Sequence, residues 1–225
     1  MATAMKRANT TFTTTLIERK WLSRNAYELR CTRPDGFSFR SGQHISMLVG
    51  EDERDYTIVS PESEQELVLL IKELENGKVS KKLAEMELGK KLEIKGPDGY
   101  LVERPTQKKR VLVATGTGIA PFASLVANGM EAVVLLHGAR CAEELYYRHI
   151  LTGVIPTYMP CLSGESCREQ NGPCYEGYVT GYIEDLLPAG DYDFYLCGKW
   201  DMIKDVTHVI DARFPDASIY SEGFY

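Results

Sequence analysis

The stretch "VATGTGIAPF", residues 113–122, joins a short apolar run to a Gly-Thr-Gly turn and then to the start of a helix. Gly116 and Gly118 let the backbone approach an anion, and the helix start at 119–121 supplies unpaired amides and the positive end of a dipole. Pro121 fits there, because first-turn amides have no partner within the helix. The stretch therefore predicts either a phosphate-binding turn or a plain tight connection between a strand and a helix.

Apolar strands and helices alternate around this turn. From residue 106 onward we predict the strands "VLVAT", "AVVLLHG", "PTYMPCLS", "YDFYLCG" and "ASIYSEGF", and the helices "APFASLVANG", "AEELYYRHIL" and "DMIKDVTHVIDARF". Continuous apolar strands between helices are typical of an α/β doubly wound parallel sheet. In such a domain the turn after the first strand is the favoured phosphate site.

The first hundred residues instead consist of short alternating runs broken by turn residues. We predict the strands "AYELRCT", "HISMLVG", "DYTIVS", "ELVLLIKEL" and "KLEIKG". One helix, "SKKLAEMEL", is expected to have Ser80 as its N-cap and Leu83, Met86 and Leu88 on its buried side. This pattern predicts a small antiparallel Greek-key β-barrel. The boundary near Pro105 gives a two-domain chain, with domains at 1–105 and 106–225.

The composition, 44% apolar and 26% charged over 225 residues, is typical of a globular protein. No apolar run approaches the roughly 18 residues of a membrane span, and the N-terminus lacks the apolar core of a signal peptide. We therefore expect a cytoplasmic protein without membrane contact. The net charge of −6 falls in the second half: residues 1–105 carry 17 basic and 17 acidic residues, and 106–225 carry 9 and 15. This distribution argues against nucleic-acid binding.

The six cysteines include no C-x-x-C pair, and free thiols are expected in a reducing compartment. Cys161, Cys167 and Cys174 are spaced too loosely for the usual zinc or iron–sulfur runs, so we predict no metal. A redox-sensitive pair, or a metal site completed by a fourth ligand, remains the alternative for these three residues.

Two stretches of the first half carry residue types that suit phosphate and ring binding. In "RDYTIVSP", Arg54 and Tyr56 point to one face of a strand, which places a guanidinium beside an aromatic ring. The alternative is a routine exposed strand edge. In "ENGKVSKKL", a turn at Gly77 precedes a helix with lysines in its first turn. Lysines are unfavourable at the positive end of a helix dipole unless an anion is bound there. The stretch therefore predicts either an anion site or a simple capped helix.

Two stretches of the second half lie at strand ends. In "YLCGKWDMI", Cys197 and Gly198 end a strand at the same carboxyl edge as the Gly116 turn, where a thiol either contacts a planar ring or simply packs. The chain ends in "YSEGFY", whose two terminal aromatic residues predict a docked tail that covers something flat.

Taken in order, these stretches, together with "GPDGYL" and "HGAR", resemble the ferredoxin–NAD(P) reductase family of flavoproteins over nearly the whole chain. The resemblance implies an FAD barrel followed by a nicotinamide-nucleotide domain that takes NADPH or NADH. It assigns to cofactor binding Arg54, Tyr56, Thr57, Ile71, Gly77, Lys78, Val79, Ser80, Thr115, Gly116, Thr117, Gly118, Arg140, Cys197, Gly198, Phe224 and Tyr225. It assigns to the reacting centre Tyr56, Thr57, Cys197, Glu222 and Phe224.

The resemblance also implies individual roles. Arg54 would hold the FAD pyrophosphate, Tyr56 would stack on the flavin ring, and Thr57 would hydrogen-bond near flavin N5. Residues 77–80 would form a second phosphate turn, and 115–118 would receive the nicotinamide nucleotide, with Cys197 and Gly198 beside the nicotinamide. Phe224 would cover the other flavin face, with Tyr225 extending one residue beyond it.

The implied activity is that of a ferredoxin/flavodoxin–NAD(P)+ reductase. Hydride passes from nicotinamide C4 to flavin N5, and electrons then leave singly to an acidic carrier, ferredoxin or flavodoxin. We expect such a carrier to approach the neutral first half, near Lys81–Lys82 or Lys90–Lys91. The alternatives are the reductase component of an oxygenase system and an FAD-binding electron-transfer subunit of a larger complex.

One departure from the family concerns the nucleotide. NADPH-specific bacterial members carry two arginines that clamp the 2′-phosphate, and this sequence has Gly164 and Tyr182 at those positions. Arg140 is retained and Arg168 is within reach in the sequence. A domain that is acidic and lacks the arginine pair is expected to use NADH, or to use NADH and NADPH with little preference, whereas the resemblance by itself favours NADPH.

Overall fold

The computed structural model describes residues 10–169 and 172–224 of the chain. The chain forms two compact units that meet in sequence between Val102 and Glu103. In the described residues, no helix is both long enough and apolar enough to cross a lipid bilayer.

The first unit is a closed antiparallel sheet. Its elements are β1 (Thr11–Ser23), β2 (Ala26–Thr32), β3 (His44–Val49), β4 (Asp52–Thr57), β5 (Glu66–Lys72), α1 (Lys78–Glu85) and β6 (Lys91–Asp98). The strand order is β4-β3-β6-β1-β2-β5, and a bridge between Ile58, directly after β4, and Leu69 of β5 joins the two ends of the sheet. The predicted antiparallel barrel is confirmed.

Strand β1 was not predicted, although it pairs with both β2 and β6. Its threonine run is polar, and the predicted strands of the first half begin only at "AYELRCT". Threonine is β-branched, however, and it suits a pleated, half-buried surface. Thr14 and Leu16 are buried on the inner face, where the Thr14 hydroxyl donates to the Thr32 carbonyl at 2.5 Å.

The start of α1 differs from the prediction. The helix begins at Lys78, and no side chain caps it from Gly77. Ser80 lies inside the first turn, where its hydroxyl accepts a hydrogen bond from the Leu74 amide at 3.3 Å, so the predicted N-cap is wrong. Leu83 is buried as expected, but Leu88 follows the helix and is 57% exposed, because the helix has already ended at Glu85.

The second unit is a parallel sheet with helical connections. Its elements are β7 (Lys109–Thr115), α2 (Ala120–Ala127), β8 (Val134–Ala139), α3 (Arg148–Leu151), β9 (Thr157–Leu162), β10 (Tyr175–Glu176), α4 (Val179–Asp185), β11 (Tyr192–Gly198), α5 (Trp200–Arg213) and β12 (Ser218–Gly223). The strand order is β10-β9-β8-β7-β11-β12, and each neighbouring pair is parallel. The predicted doubly wound sheet is confirmed. The order reverses between β7 and β11, and ligands of such sheets bind at that reversal.

Helices α4 and α5 cover one face of this sheet. Their apolar residues Val179, Ile183, Val206 and Ile210 form one buried cluster with strand residues such as Val113. Because side chains alternate along a strand, the neighbouring buried residues point to the opposite face. Burial on both faces explains why these strands are continuously apolar in the sequence.

In this unit one predicted helix is wrong, and one helix was not predicted. The stretch 142–151 is not one helix: a 3₁₀ turn at Ala142–Glu144 is followed by the short α3, and Tyr147 interrupts them with a φ of 60°. The stretch "VTGYI", for which no helix was predicted, begins α4. It buries Val179, Tyr182 and Ile183 at helical spacing, which stabilises a helix despite its internal glycine.

The expectation of free thiols is wrong for two cysteines. Cys167 and Cys174 form a disulfide, with their Cα atoms 5.6 Å apart, in the connection between β9 and β10. Cys161 is not part of it and is buried in the core on β9. No cluster of metal-ligating residues occurs within 10–169 and 172–224. The spacing of the three cysteines does not determine which two of them pair. The fold brings Cys167 and Cys174 together and leaves Cys161 as a free thiol.

Candidate functional site

The glycine turn lies at the carboxyl end of β7, at the reversal of strand order. Residues Gly116–Ile119 form a 3₁₀ turn that leads into α2, and neither element has a side-chain N-cap. Gly116 has a φ of +54°, a conformation that glycine adopts without strain. Because side chains do not cap these amides, the turn has the backbone donors that an anion requires.

The end of β11 is pressed against this turn. A Cβ atom added at Gly118 would lie 2.6 Å from the carbonyl carbon of Cys197 and 2.8 Å from the Cα of Gly198. Gly198 has a φ of +147°, and an added Cβ there would overlap the Thr115 hydroxyl. That hydroxyl accepts a hydrogen bond from the Lys199 amide at 3.4 Å. The structure thus brings Thr115, Gly118, Cys197 and Gly198 together.

The side chain of Cys197 is fully buried, and the residue lies opposite Glu222 in the register of β11 with β12. Burial, and to a smaller degree the carboxylate of Glu222, raises the pKa of this thiol well above its usual value. The thiol therefore stays neutral near pH 7 and does not act as a nucleophile.

We expect Cys197 to resist alkylation in the folded protein. Iodoacetamide at pH 8 should label the half-buried Cys141 and leave Cys197 unmodified, because only thiolates react and Cys197 is both buried and protonated. Mass spectrometry of tryptic peptides measures both positions in one sample. Equal labelling of the two cysteines would contradict this account of the site.

The C-terminal residues form a paired strand next to β11. Strand β12 is parallel to β11, and the Phe224 amide donates to the Gly198 carbonyl at 2.8 Å. The Trp200 ring lies against Gly223 so closely that no side chain would fit there. Phe224 is half-buried, and Tyr225 lies outside the described residues. The tail is docked, and Trp200 is a contact that the sequence analysis missed.

A buried histidine beneath the glycine turn was also missed. His137 of β8 is fully buried, and its Nδ1 lies 2.8 Å from the Tyr158 hydroxyl. Burial lowers the pKa of His137 to about 4, an effect that the nearby Gly116 backbone partly offsets. The neutral imidazole therefore links β8 and β9 behind the turn. Its signal in the sequence was a histidine at the end of the apolar run "AVVLLHG".

In the first unit, Arg54, Tyr56 and Thr57 lie at the end of β4. Arg54 is exposed, and its guanidinium donates to the Glu53 carbonyl at 2.7 Å. Tyr56 is half-buried and packs against the barrel core. Thr57 is buried, and its hydroxyl has no hydrogen-bond partner in the described part of the chain. A buried hydroxyl without a partner is unfavourable unless a ligand supplies one, so this residue fits the flavin contact predicted for it.

The second predicted phosphate turn lies at the start of α1. A Cβ at Gly77 would lie 2.5 Å from the Ser80 hydroxyl, so this backbone is tightly folded. The first turn contains no acidic residue, Lys78 is exposed, and Val79 is buried. Ile71, by contrast, is fully buried in the barrel core, which leaves only its main chain for a ligand.

We expect Thr57→Val to separate folding from flavin binding. Removing the unpaired hydroxyl should leave the free energy of unfolding of the flavin-free protein unchanged or raise it by up to about 1 kcal/mol. It should weaken FAD binding about tenfold, because the hydrogen bond to the ligand is lost. Urea unfolding and flavin-fluorescence titration measure the two effects.

Thr14→Val is the matched control for this prediction. The Thr14 hydroxyl is also buried, but it donates to the Thr32 carbonyl. Its removal should destabilise the protein by about 1–2 kcal/mol and leave FAD affinity unchanged. If Thr57→Val destabilises the flavin-free protein as much as Thr14→Val does, the Thr57 hydroxyl already has a hydrogen-bond partner in that protein, and its assignment to the flavin is contradicted.

The lysines expected to attract an acidic carrier are mixed with carboxylates. An open cavity of about 300 Å³ is lined by Lys82, Glu85, Met86, Glu87, Lys90 and Lys91. Lys82 pairs with Asp52 at 3.2 Å, and Lys90 lies 3.9 Å from Glu87. This surface is therefore only weakly basic.

The sequences of both units match known family models. Residues 13–102 match the oxidoreductase FAD-binding domain, and residues 112–208 match the oxidoreductase NAD-binding domain. The matched ranges coincide with the barrel and with most of the parallel-sheet unit.

Curated relatives carry several activities in their names. The chain is 38% identical to NADH-cytochrome b5 reductase 1 of Lodderomyces elongisporus, over 84% of this chain and 70% of that protein. It is 27% identical to ferredoxin–NADP reductase of Pseudomonas aeruginosa, over 83% of each. It is 29% identical to the toluate 1,2-dioxygenase electron transfer component of Pseudomonas putida, of which it spans 62%. Some relatives are longer still, and the chain spans as little as 45% of their length.

Solved structures share the fold. A ferredoxin NADP+ reductase from Neisseria gonorrhoeae, with bound FAD and NADP, superimposes with a TM-score of 0.82 at 20% identity. The match covers 95% of this chain and 99% of that one. At this identity the likeness concerns the fold alone.

Proposed function

Because the chain belongs to the ferredoxin–NAD(P) reductase family, we propose that it is an FAD-dependent oxidoreductase that moves electrons between NAD(P)H and a one-electron protein carrier. The observation that carries this proposal is the uncapped glycine turn at Gly116–Ile119, held against Cys197–Gly198 at the strand-order reversal. That arrangement is built for a dinucleotide pyrophosphate.

The barrel residues would hold the flavin. The Thr57 hydroxyl lacks a partner and would bond to the flavin ring, while Tyr56 supplies an aromatic face and Arg54 a guanidinium for phosphate. The start of α1, with Lys78 and no acidic residue in its first turn, would hold a second phosphate. When bound, FAD supplies hydride acceptance from a nicotinamide and single-electron release to the carrier.

The residues of the second unit would place the nicotinamide nucleotide. The Gly116–Ile119 amides would bind its phosphates, and the flat surface left by Gly198 would admit a planar ring. The neutral Cys197 thiol would pack beside that ring without reacting with it. Catalysis by this chain consists of alignment and exclusion of water.

A second candidate differs only in the electron acceptor. The relatives named as dioxygenase electron transfer components and cytochrome b5 reductases favour an acceptor other than ferredoxin or flavodoxin. The weakly basic surface around Lys82 and Lys90 does not single out one acidic carrier.

An anaerobic titration tests the proposal. The purified chain should have a flavin absorbance spectrum that NADH or NADPH bleaches. The reduced protein should then be mixed separately with ferredoxin, flavodoxin and cytochrome b5 in a stopped-flow instrument. A spectrum without flavin, even after FAD is added, refutes the proposed function. Bleaching without transfer to any of the three carriers supports the electron-transfer subunit of a larger complex.

A further inference from the structure

The end of the site that would receive the adenosine ribose lies at the carboxyl ends of β8 and β9. In doubly wound sheets the ribose 2′ position is recognised after the second strand, by a carboxylate for a hydroxyl or by an arginine for a phosphate. Here β8 is the second strand of the unit and continues into Arg140 and the Ala142–Glu144 turn. The end of β9 runs alongside, with the Gly164 amide donating to the Arg140 carbonyl at 3.0 Å.

NADPH-specific members carry arginine at two positions that hold Gly164 and Tyr182 in this chain. Neither residue supplies a cation. A Cβ at Gly164 would lie 3.0 Å from the Arg140 carbonyl oxygen, which is tighter than an ordinary contact. Tyr182 is buried in the core, with its ring edge-on to Tyr175 at a centroid distance of 5.7 Å. Arg140 is exposed, and the stretch 139–166 contains two arginines, Arg140 and Arg148, against the three carboxylates Glu143, Glu144 and Glu165.

Carboxylates already occupy backbone amides at this edge. The Arg140 amide donates to Glu144 at 3.4 Å, and the Ala142 amide donates to Glu165 at 2.6 Å. Further along, Glu176 accepts from the Cys167 amide at 2.9 Å and from the Ser166 hydroxyl, and these bonds lower the pKa of Glu176. Loop amides of this kind are the groups that bind phosphate in other proteins. In this chain the loop amides already donate hydrogen bonds to glutamate carboxylates, which are negatively charged as a phosphate is.

We propose that this edge accepts the 2′-hydroxyl of NADH and rejects the 2′-phosphate of NADPH, so that NADH is the electron donor. The inference rests on the proposed function. A 2′-phosphate is dianionic and would need charge-assisted donors. It would meet amides that are already bonded and two carboxylates, Glu144 and Glu165, which repel it. A ribose hydroxyl carries no charge and can donate to either carboxylate.

Isothermal titration calorimetry of the FAD-loaded full chain tests this without turnover. NAD+ should bind at least about tenfold more tightly than NADP+, and 5′-AMP more tightly than adenosine 2′,5′-bisphosphate. Glutamine keeps an acceptor oxygen for both amides but removes the charge. The variant E144Q/E165Q should therefore bind NADP+ about fivefold more tightly and NAD+ nearly unchanged.

Glu131→Gln is the matched control. Glu131 is exposed and precedes β8, at the opposite end of that strand, and its loss should leave the NAD+ to NADP+ ratio unchanged. Equal or tighter binding of NADP+ by the native chain overturns the inference while leaving the proposed function intact. An unchanged ratio in E144Q/E165Q overturns the assignment to these carboxylates. Absence of binding by both dinucleotides refutes the proposed function itself.

Discussion

Replacing Gly118 with alanine is expected to lower kcat/KM for the nicotinamide nucleotide about 100-fold. The added methyl group would lie 2.6 Å from the Cys197 carbonyl carbon and 2.8 Å from the Gly198 Cα, and both are backbone atoms. Backbone cannot rotate away as a side chain can, so the turn and the end of β11 must move apart. A displacement of about 1 Å at a reacting centre costs roughly this factor in rate.

The same substitution should destabilise the fold by about 1–3 kcal/mol, because it overpacks a filled space. Steady-state kinetics with ferricyanide as acceptor and thermal unfolding of the flavin-loaded protein measure the two effects. Gly129→Ala is the control: Gly129 follows α2 with a φ of +97°, and nothing lies within 4 Å of an added Cβ. It should cost about 1 kcal/mol in backbone strain and leave kcat/KM unchanged. If Gly118→Ala retains native kinetics, the close contact with β11 has no role in nucleotide use.

Loss of the Tyr56 ring or of the Arg54 guanidinium should strip FAD from the protein. Aromatic stacking on a planar ring contributes about 1–3 kcal/mol, so Tyr56→Ala is expected to weaken FAD binding by about 5- to 150-fold. Arg54 is exposed and its guanidinium donates to the Glu53 carbonyl, and among the side chains of β4 it is the one suited to a phosphate. Arg54→Ala should weaken FAD binding about tenfold, with an effect that shrinks at high salt.

The absorbance ratio of flavin to protein after gel filtration measures FAD retention directly. Tyr56→Phe keeps the ring and should retain flavin, and Arg24→Ala removes an exposed arginine from the turn between β1 and β2 without effect. Normal flavin content in both Tyr56→Ala and Arg54→Ala would remove β4 from the flavin site.

Much of the architecture could be predicted from local patterns in the chain. The apolar runs of β7, β8 and β11 are continuous because both of their faces are buried, and the runs of β2 and β3 alternate because one face of the barrel is exposed. These two periodicities are properties of neighbouring residues, so they can be read without knowing what lies across the sheet. The glycine turn after β7 was readable for the same reason.

Elements whose stability comes from distant partners were missed or misplaced. Strand β1 is polar in sequence and owes its conformation to pairing with β2 and β6. Helix α4 is short and contains a glycine, and it is stabilised by burial with α5 against the sheet. Ser80 has the chemistry of an N-cap, but its hydroxyl is used by the Leu74 amide. Propensity is a weak guide where tertiary packing decides.

The sequence by itself determined the two-domain plan, the glycine turn and the family resemblance, because all three follow from residue order and local spacing. Only the tertiary structure decided which cysteines pair, since Cys167 and Cys174 meet through the fold of the β9–β10 connection. It alone places Gly118 against β11 and the Glu144 and Glu165 carboxylates on the amides beside β8. Gly118 and Glu165 contact residues at or after the ends of other strands, and local spacing cannot reveal such contacts. They form because the carboxyl ends of parallel strands lie at one edge of the sheet.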